Sequence, residues 1–296
     1  MSPRVLRVAL VQDRDRGSRE ANLAAIETAV GQAASAGARL VLLQELHNGP
    51  YFCQHESVDE FDRAEPIPGD STARLSALAR AHALVIVGSL FERRAAGLHH
   101  NTAVVFDADG SHRGTYRKMH IPDDPGFLEK FYFAPGDLGF TPIDTSVGRL
   151  GVLVCWDQWY PEAARLMALA GAELLLYPTA IGWDPADPQS EKDRQLDAWI
   201  TVQRGHAVAN GLPLLAVNRT GFEAAPDSSG RGIRFWGCSF VVGPQGEFLA
   251  RAGEPEPELL LCDIDLARSE TVRRIWPFLR DRRIDAYDDL LRRFRD

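Results

Sequence analysis

A carboxylate, an ammonium and a thiol each close a short strand-like run in this sequence. Glu45 follows Arg39-Leu-Val-Leu-Leu-Gln, Lys118 follows Gly114-Thr-Tyr-Arg, and Cys155 follows Leu150-Gly-Val-Leu-Val. A thiol attacks a carbonyl carbon as its thiolate, so it needs a base, and Glu45 can accept the proton. The tetrahedral intermediate then carries a negative oxygen, which Lys118 can hold. Read one at a time, these residues have plainer meanings. Cys155 could be a buried thiol closing an apolar strand. Glu45 could be a solvated strand end and Lys118 a surface lysine. The set is more informative than its members, because strand ends in an open α/β sheet converge on one crevice.

The elements around Cys155 suit an exposed nucleophile. Leu150 to Val154 reads as a buried strand. Pro161 fits the first turn of a helix, and Glu162 to Leu169 is helix-forming. Cys155 therefore sits at a strand-to-helix elbow, where local dipoles could favour a thiolate. The next backbone N–H groups, that of Trp156 first, are free to hold an oxyanion.

The rest of the chain alternates in the manner of an α/β protein. Val5 to Gln12 reads as a strand, and Ser18 as the cap of a helix that ends near Gly37. With the strand before Glu45 this makes β-α-β and so neighbouring parallel strands. His47 to Glu65 is an aromatic and polar loop holding Tyr51. A second helix starts at Pro68-Gly-Asp-Ser-Thr, and Leu84 to Phe91 is a strand. Asp109-Gly110 between apolar runs signals a hairpin. Asp123 to Gly139 is a long loop holding Glu129, and loops of that length in compact domains commonly serve function. Glu173 to Thr179 is a strand, followed by the turn-rich acidic segment Trp183-Asp184-Pro-Ala-Asp187-Pro. Gln189 to Asn210 reads as a helix capped by Gly211, and Leu212 to Asn218 as a strand. Phe235 to Val242 and Glu247 to Ala250 read as a hairpin, and Leu259 to Ile264 as the last strand. Periodicity alone supports mixed α/β.

Composition narrows the class. The chain has 296 residues, 45% hydrophobic and 25% charged, with net charge −8. That is globular, and the acidic balance argues against a nucleic-acid or anionic-membrane partner. The four cysteines are widely spaced, with no CxxC pair, so a metal site is not expected. There is no signal peptide and no apolar run near the ~20 residues that span a bilayer, so the expected location is reduced and cytoplasmic. No linker, repeat or phosphate-binding glycine motif occurs, and the expectation is one domain, residues 1–296.

Three segments resemble the signatures of the nitrilase superfamily, the carbon–nitrogen hydrolases. They are Leu43-Gln-Glu45-Leu, Tyr116-Arg-Lys118-Met-His-Ile-Pro and Val154-Cys155-Trp-Asp-Gln-Trp-Tyr-Pro-Glu, in that order. The resemblance runs from about Val5 to Tyr287. It implies a four-layer α-β-β-α sandwich with Glu45, Lys118 and Cys155 catalytic, Glu129 positioning substrate and lysine, and no metal or organic cofactor. Tyr51-Phe-Cys-Gln, Ile121-Pro-Asp-Asp-Pro-Gly, Glu129-Lys-Phe-Tyr-Phe-Ala-Pro-Gly-Asp and Tyr177-Pro-Thr-Ala-Ile-Gly resemble members that cleave N-carbamoylputrescine on the route from arginine and agmatine to polyamines. A small carbamoyl amine is then the expected substrate, with Tyr51 and Asp184 contacting it. Where such members carry glutamate in Gly-Ser-Glu-Pro, this chain has Gly182-Trp-Asp-Pro, so the acid is kept on a shorter arm. Resemblance also implies a homo-oligomer, with a tail from about residue 268 at a subunit interface. Competing expectations are a ureidopropionase-like or aliphatic amidase using Arg194 or Arg219 for a substrate carboxylate, and a non-catalytic scaffold of the same fold.

Overall fold

The computed structural model describes residues 4–226, 231–253 and 256–295. The first half runs β1 (Val5–Gln12), α1 (Arg19–Ser35), β2 (Leu40–Leu43), α2 (Asp70–His82), β3 (Val85–Ala95), β4 (Leu98–Phe106) and β5 (His112–Arg117). The second runs β6 (Ile143–Thr145), β7 (Gly148–Val152), α3 (Pro161–Leu169), β8 (Leu174–Thr179), β9 (Gly182–Trp183), α4 (Gln189–Asn210) and β10 (Leu214–Asn218). Then follow β11 (Thr220–Ala224), β12 (Gly232–Trp236), β13 (Phe240–Val242), β14 (Phe248–Arg251), β15 (Glu258–Asp265) and α5 (Ala267–Ile275).

Two six-stranded sheets result, ordered β15-β1-β2-β3-β4-β5 and β14-β13-β10-β8-β7-β6. Strands β1, β2 and β3 are parallel, as are β10, β8 and β7, while the flanking pairs are antiparallel. Side chains alternate across each strand with a period of two. Val8 and Leu10 of β1 join the large core that also holds Leu150 and Val152 of β7. Ala9 and Val11 join a second core with Ile26 and Val30 of α1 and Leu75 and Ala79 of α2. Helices α3 and α4 pack on the second sheet through residues such as Met167, Trp199 and Ala207. The layers are α-β-β-α, and sheets covered on both faces need continuous apolar strands such as Leu40–Leu43.

Three differences from the sequence expectations have physical causes. The stretch Phe235 to Val242 is not one strand: it breaks at Gly237 (φ +59°) and Cys238 (φ +55°), which send the chain from the small sheet β11-β12-β9 into the second large sheet. The last strand crosses back to pair antiparallel with β1 through the full register Val5–Asp265 to Gln12–Glu258, a non-local choice with no local signal. Strand β3 runs on past Phe91 to Ala95, forming an exposed hairpin with β4 across Gly97. Helix caps fall where the residue types predict. Ser18 accepts from the Ala21 N–H at 3.2 Å, and Gly211 ends α4 at φ +58°.

Candidate active site

The two sheets bring their strand ends together at one place. The amide of Glu45, just beyond β2, donates to the carbonyl of Thr179 at the end of β8 at 3.4 Å. Arg219 N–H donates to the same oxygen at 3.1 Å. Convergence thus occurs between facing sheets rather than along one.

Cys155 lies on a sharp elbow after β7. Its φ is +42°, in the left-handed region that a non-glycine residue adopts only when its surroundings enforce it. Asp157, fully buried, braces the elbow. Its carboxylate accepts from Val154 N–H at 2.9 Å, the Tyr116 hydroxyl at 2.8 Å and the His120 N–H at 3.0 Å, with His120 Nδ1 at 2.7 Å. Tyr116 and His120 flank Lys118 in sequence, so one side chain ties the nucleophile's elbow at Val154 to the lysine's strand. Pro161 then opens α3. Trp156 is the second residue of the short 3-10 turn Cys155–Trp159, where early N–H groups lack intrahelical acceptors.

Lys118 follows β5 and is fully buried. Its Nζ donates to Glu45 Oε1 at 2.8 Å and Glu129 Oε2 at 2.7 Å, and all three side chains are 0% exposed. Glu129 reaches the lysine from a 3-10 turn, Glu129–Phe131, in the long loop, and its Oε1 accepts from the Tyr51 hydroxyl at 2.8 Å. Gly136 seats that loop: a Cβ there would overlap the Arg117 carbonyl, and its N–H donates to Lys118 O at 2.8 Å. Asn101, buried in β4, donates to Glu45 Oε1 at 2.7 Å. Glu45 Oε2 is buried and has no hydrogen-bond partner. The base candidate therefore has one oxygen fixed by lysine and asparagine and one open to accept a proton.

The electrostatics set the resting protonation. Burial pushes the Cys155 thiol pKa well up, Glu45 and Glu129 add to this, and Lys118 opposes it. The resting nucleophile is a thiol and not the dipole-stabilised thiolate that the elbow alone suggests. Its Sγ lies 3.9 Å from the Ala180 carbonyl. Burial works against the Lys118 ammonium, but Glu129 and Glu45 outweigh it and hold its pKa well above the usual range. Burial raises the Glu129 carboxyl, against the pull of Lys118.

Beside the elbow a cavity of about 580 Å³ is walled by Trp156, Trp159, Ile181, Trp236 and Phe127, with carboxylates Asp124, Asp184, Asp187 and Glu191. The structure places Asp184 at its exposed rim, where its Oδ1 accepts from Ala186 N–H at 2.8 Å. Tyr51 is 1% exposed, and its hydroxyl contacts Glu129. The cations asked to bind a substrate carboxylate are engaged elsewhere. Arg219, fully buried, pairs with Glu223 at 2.7 Å and donates to the carbonyls of Glu45, Leu46 and Gly49 at 3.3, 2.9 and 3.0 Å. Arg194, at the cavity, pairs with Glu191 at 2.7 Å. Among the described residues no group of His, Cys, Asp and Glu forms a metal site, and no helix is long and apolar enough to cross a membrane.

Sequence reasoning missed Asn101 and Asp157, and it considered Arg219 only for a substrate carboxylate, whereas the structure has it on Glu223 and three backbone carbonyls. Asn101 left one sign, a polar residue within the apolar run before Ala103-Val-Val-Phe. Asp157 and Arg219 carry little local sign, since most of their partners are remote in sequence.

A buried acid–lysine–acid cluster facing a thiol on a left-handed elbow, on an α-β-β-α sandwich, defines a class of thiol hydrolases. The carbon-nitrogen hydrolase family profile matches residues 7–274, and the chain belongs to that family. It is similar to an N-carbamoylputrescine amidase from Solanum lycopersicum, 45% identical over 97% of this chain and 95% of the relative. It is also similar to a citrullinase from Francisella tularensis, 41% identical over 98% of this chain and 99% of the relative. A crystal structure of a carbon-nitrogen hydrolase from Helicobacter pylori G27 superposes with TM-score 0.96 at 56% identity, covering 98% of this chain and 100% of that one. A variant of an amidase from Nesterenkonia sp. AN1, with the acetamide moiety of fluoroacetamide attached at its active-site cysteine, superposes with TM-score 0.75 at 29% identity, covering 97% of each chain.

Proposed function

We propose that this enzyme hydrolyses N-carbamoylputrescine to putrescine, ammonia and carbon dioxide through a Cys155 thiol ester. The observation that carries the chemistry is the unpartnered, buried Glu45 Oε2 in a site where Lys118 is fixed between Glu45 and Glu129 and the field of all three acts on the buried Cys155 thiol. The substrate rests on the N-carbamoylputrescine amidases it resembles and on the acidic, aromatic-walled cavity.

In this reading Glu45 takes the Cys155 proton as sulfur bonds to the carbamoyl carbon. The new oxyanion is held by Lys118 and the Trp156 N–H. Glu45 gives its proton to the leaving nitrogen, the C–N bond breaks, and putrescine departs from an S-carbamoyl enzyme. Water, deprotonated by Glu45, adds to that carbon. The C–S bond breaks, the thiol regains its proton, and carbamic acid decays to ammonia and carbon dioxide. Glu129 keeps Lys118 in place. Tyr51 is assigned to the substrate side of the site through Glu129, and Asp184 to attraction of the amine at the rim.

The place of this activity is the cytoplasmic route from arginine through agmatine to polyamines, in one domain spanning the chain. The tail supports a homo-oligomer: beyond residue 268 Ile275, Trp276, Phe278, Ile284, Leu290, Leu291 and Phe294 are exposed, and apolar surface so concentrated needs a cover. A second reading, hydrolysis of the ureido group of citrulline, is favoured by the citrullinase relative. It too presents a substrate ammonium.

The test is ammonia release from N-carbamoylputrescine, N-carbamoylcadaverine, citrulline and N-carbamoyl-β-alanine at equal concentration. Preference for the putrescine compound supports the reading. Preference for citrulline moves the substrate and keeps the mechanism. Release from the β-alanine compound alone contradicts the acidic pocket, and release from none contradicts carbamoyl hydrolysis.

A further inference from the structure

Four carboxylates line the cavity beside Trp156, and three of them are already engaged. Glu191 is paired with Arg194 at 2.7 Å, Asp187 accepts from Gln195 at 3.2 Å, and Asp184 accepts from the Ala186 N–H at 2.8 Å. Asp124 differs. It is half-buried, joins no ion pair among the described residues, and its Oδ1 is shut off from solvent without a hydrogen-bond partner. Burial pushes its carboxyl pKa up, and its own backbone N–H and the Lys118 charge offset this only in part. The turn that holds it is fixed, with Phe127 N–H donating to Asp124 O at 2.8 Å. The walls beside it, Phe127, Trp156, Ile181 and Trp236, are apolar and suit a methylene chain.

A half-buried carboxylate with one oxygen shut off from water and unpaired, on an aromatic-walled cavity, is a position for a cation, because an ammonium there supplies that oxygen with a charge-assisted hydrogen bond. We propose that Asp124 binds the distal ammonium of the substrate and sets the preference for cationic carbamoyl amines, while Asp184 acts only as a rim charge. This rests on the function proposed above and assigns its amine-binding residue. Asp124 is a specificity residue and takes no part in the bond changes at Cys155.

The experiment compares N-carbamoylputrescine with N-carbamoylbutylamine, which has the same carbon chain and no ammonium. Asp124→Asn is expected to raise KM for the cationic compound about tenfold or more, with kcat within about twofold and the neutral compound unaffected. Asp124→Glu should recover part of the preference, and Asp184→Asn should shift KM by about threefold or less, as a screened surface charge does. Thermal stability of Asp124→Asn should be unchanged or higher, because an unmatched carboxylate is removed. An Asp124→Asn enzyme that keeps the wild-type preference, or loses both substrates equally, overturns the assignment. A wild-type enzyme that treats the two compounds alike refutes the amine reading itself, and this assignment with it.

Discussion

Replacing Tyr51 by phenylalanine removes one oxygen from the site and leaves the ring. The hydroxyl is buried and donates to Glu129 Oε1 at 2.8 Å, while Glu129 Oε2 holds Lys118 at 2.7 Å. A hydrogen bond to a charged group contributes about 1.5–3 kcal/mol, and the acceptor left behind stays buried. At roughly 2–4 °C per kcal/mol for a chain of this size, the melting temperature should fall by about 3–12 °C. The rings of Phe127 and Phe235, at 5.5 and 5.6 Å, hold the aromatic body in place, so the loss is local. In the proposed mechanism Tyr51 acts on substrate through Glu129 and Lys118, so kcat should fall about tenfold with KM changed less than about threefold. The sign for pH follows from the same bond. It favours ionised Glu129, and without it the raised Glu129 carboxyl rises further, moving the acid limb of kcat to higher pH. Steady-state kinetics from pH 5 to 9 and thermal melting read all three effects. A Tyr51→Phe enzyme with wild-type stability and an unmoved acid limb, but a large rise in KM, would show that the hydroxyl binds substrate directly and refute this reasoning.

Other residues give independent checks. Burial depresses the His47 pKa to about 4 from an ordinary 6.5, so the folded chain binds fewer protons than the unfolded one between those values. Stability should therefore fall as pH drops from about 6.5 to about 4, by roughly 3 kcal/mol for this group, and His47→Gln should flatten that segment of a urea-denaturation profile. Arg219→Met removes the clamp on the carbonyls of Glu45, Leu46 and Gly49 and strands Glu223, and should cost about 3–5 kcal/mol in urea denaturation. A loss below about 1 kcal/mol would show that the clamp is dispensable.

Much of the parallel framework was legible because it obeys local rules. The runs Val5–Gln12 and Leu40–Leu43, the Ser18 cap and the Gly211 stop each carry their own signal. The acid, amine and thiol were legible because each ends a strand. What was not legible is non-local. Nothing in Glu258–Asp265 says that it pairs with β1, and the switch at Gly237-Cys238 depends on left-handed φ values that cysteine does not advertise. The resting thiol was hidden for the same reason. An elbow suggests a low pKa, but burial beside two carboxylates reverses it, and burial is a property of the assembled sheets. Asp124 carries no sign of its own in the long loop that begins at Asp123, and its unpaired, solvent-shielded oxygen is visible only in the folded chain.

The central claim is that Cys155 carries the carbamoyl group between substrate and water. Rapid acid quench during turnover of N-carbamoylputrescine, followed by peptide mass analysis, should find one carbamoyl group on the peptide containing Cys155. The Cys155→Ala protein, folded by circular dichroism, should carry none and release no ammonia. Label on Cys53, Cys238 or Cys262 instead, or ammonia release that survives Cys155→Ala, would contradict the account.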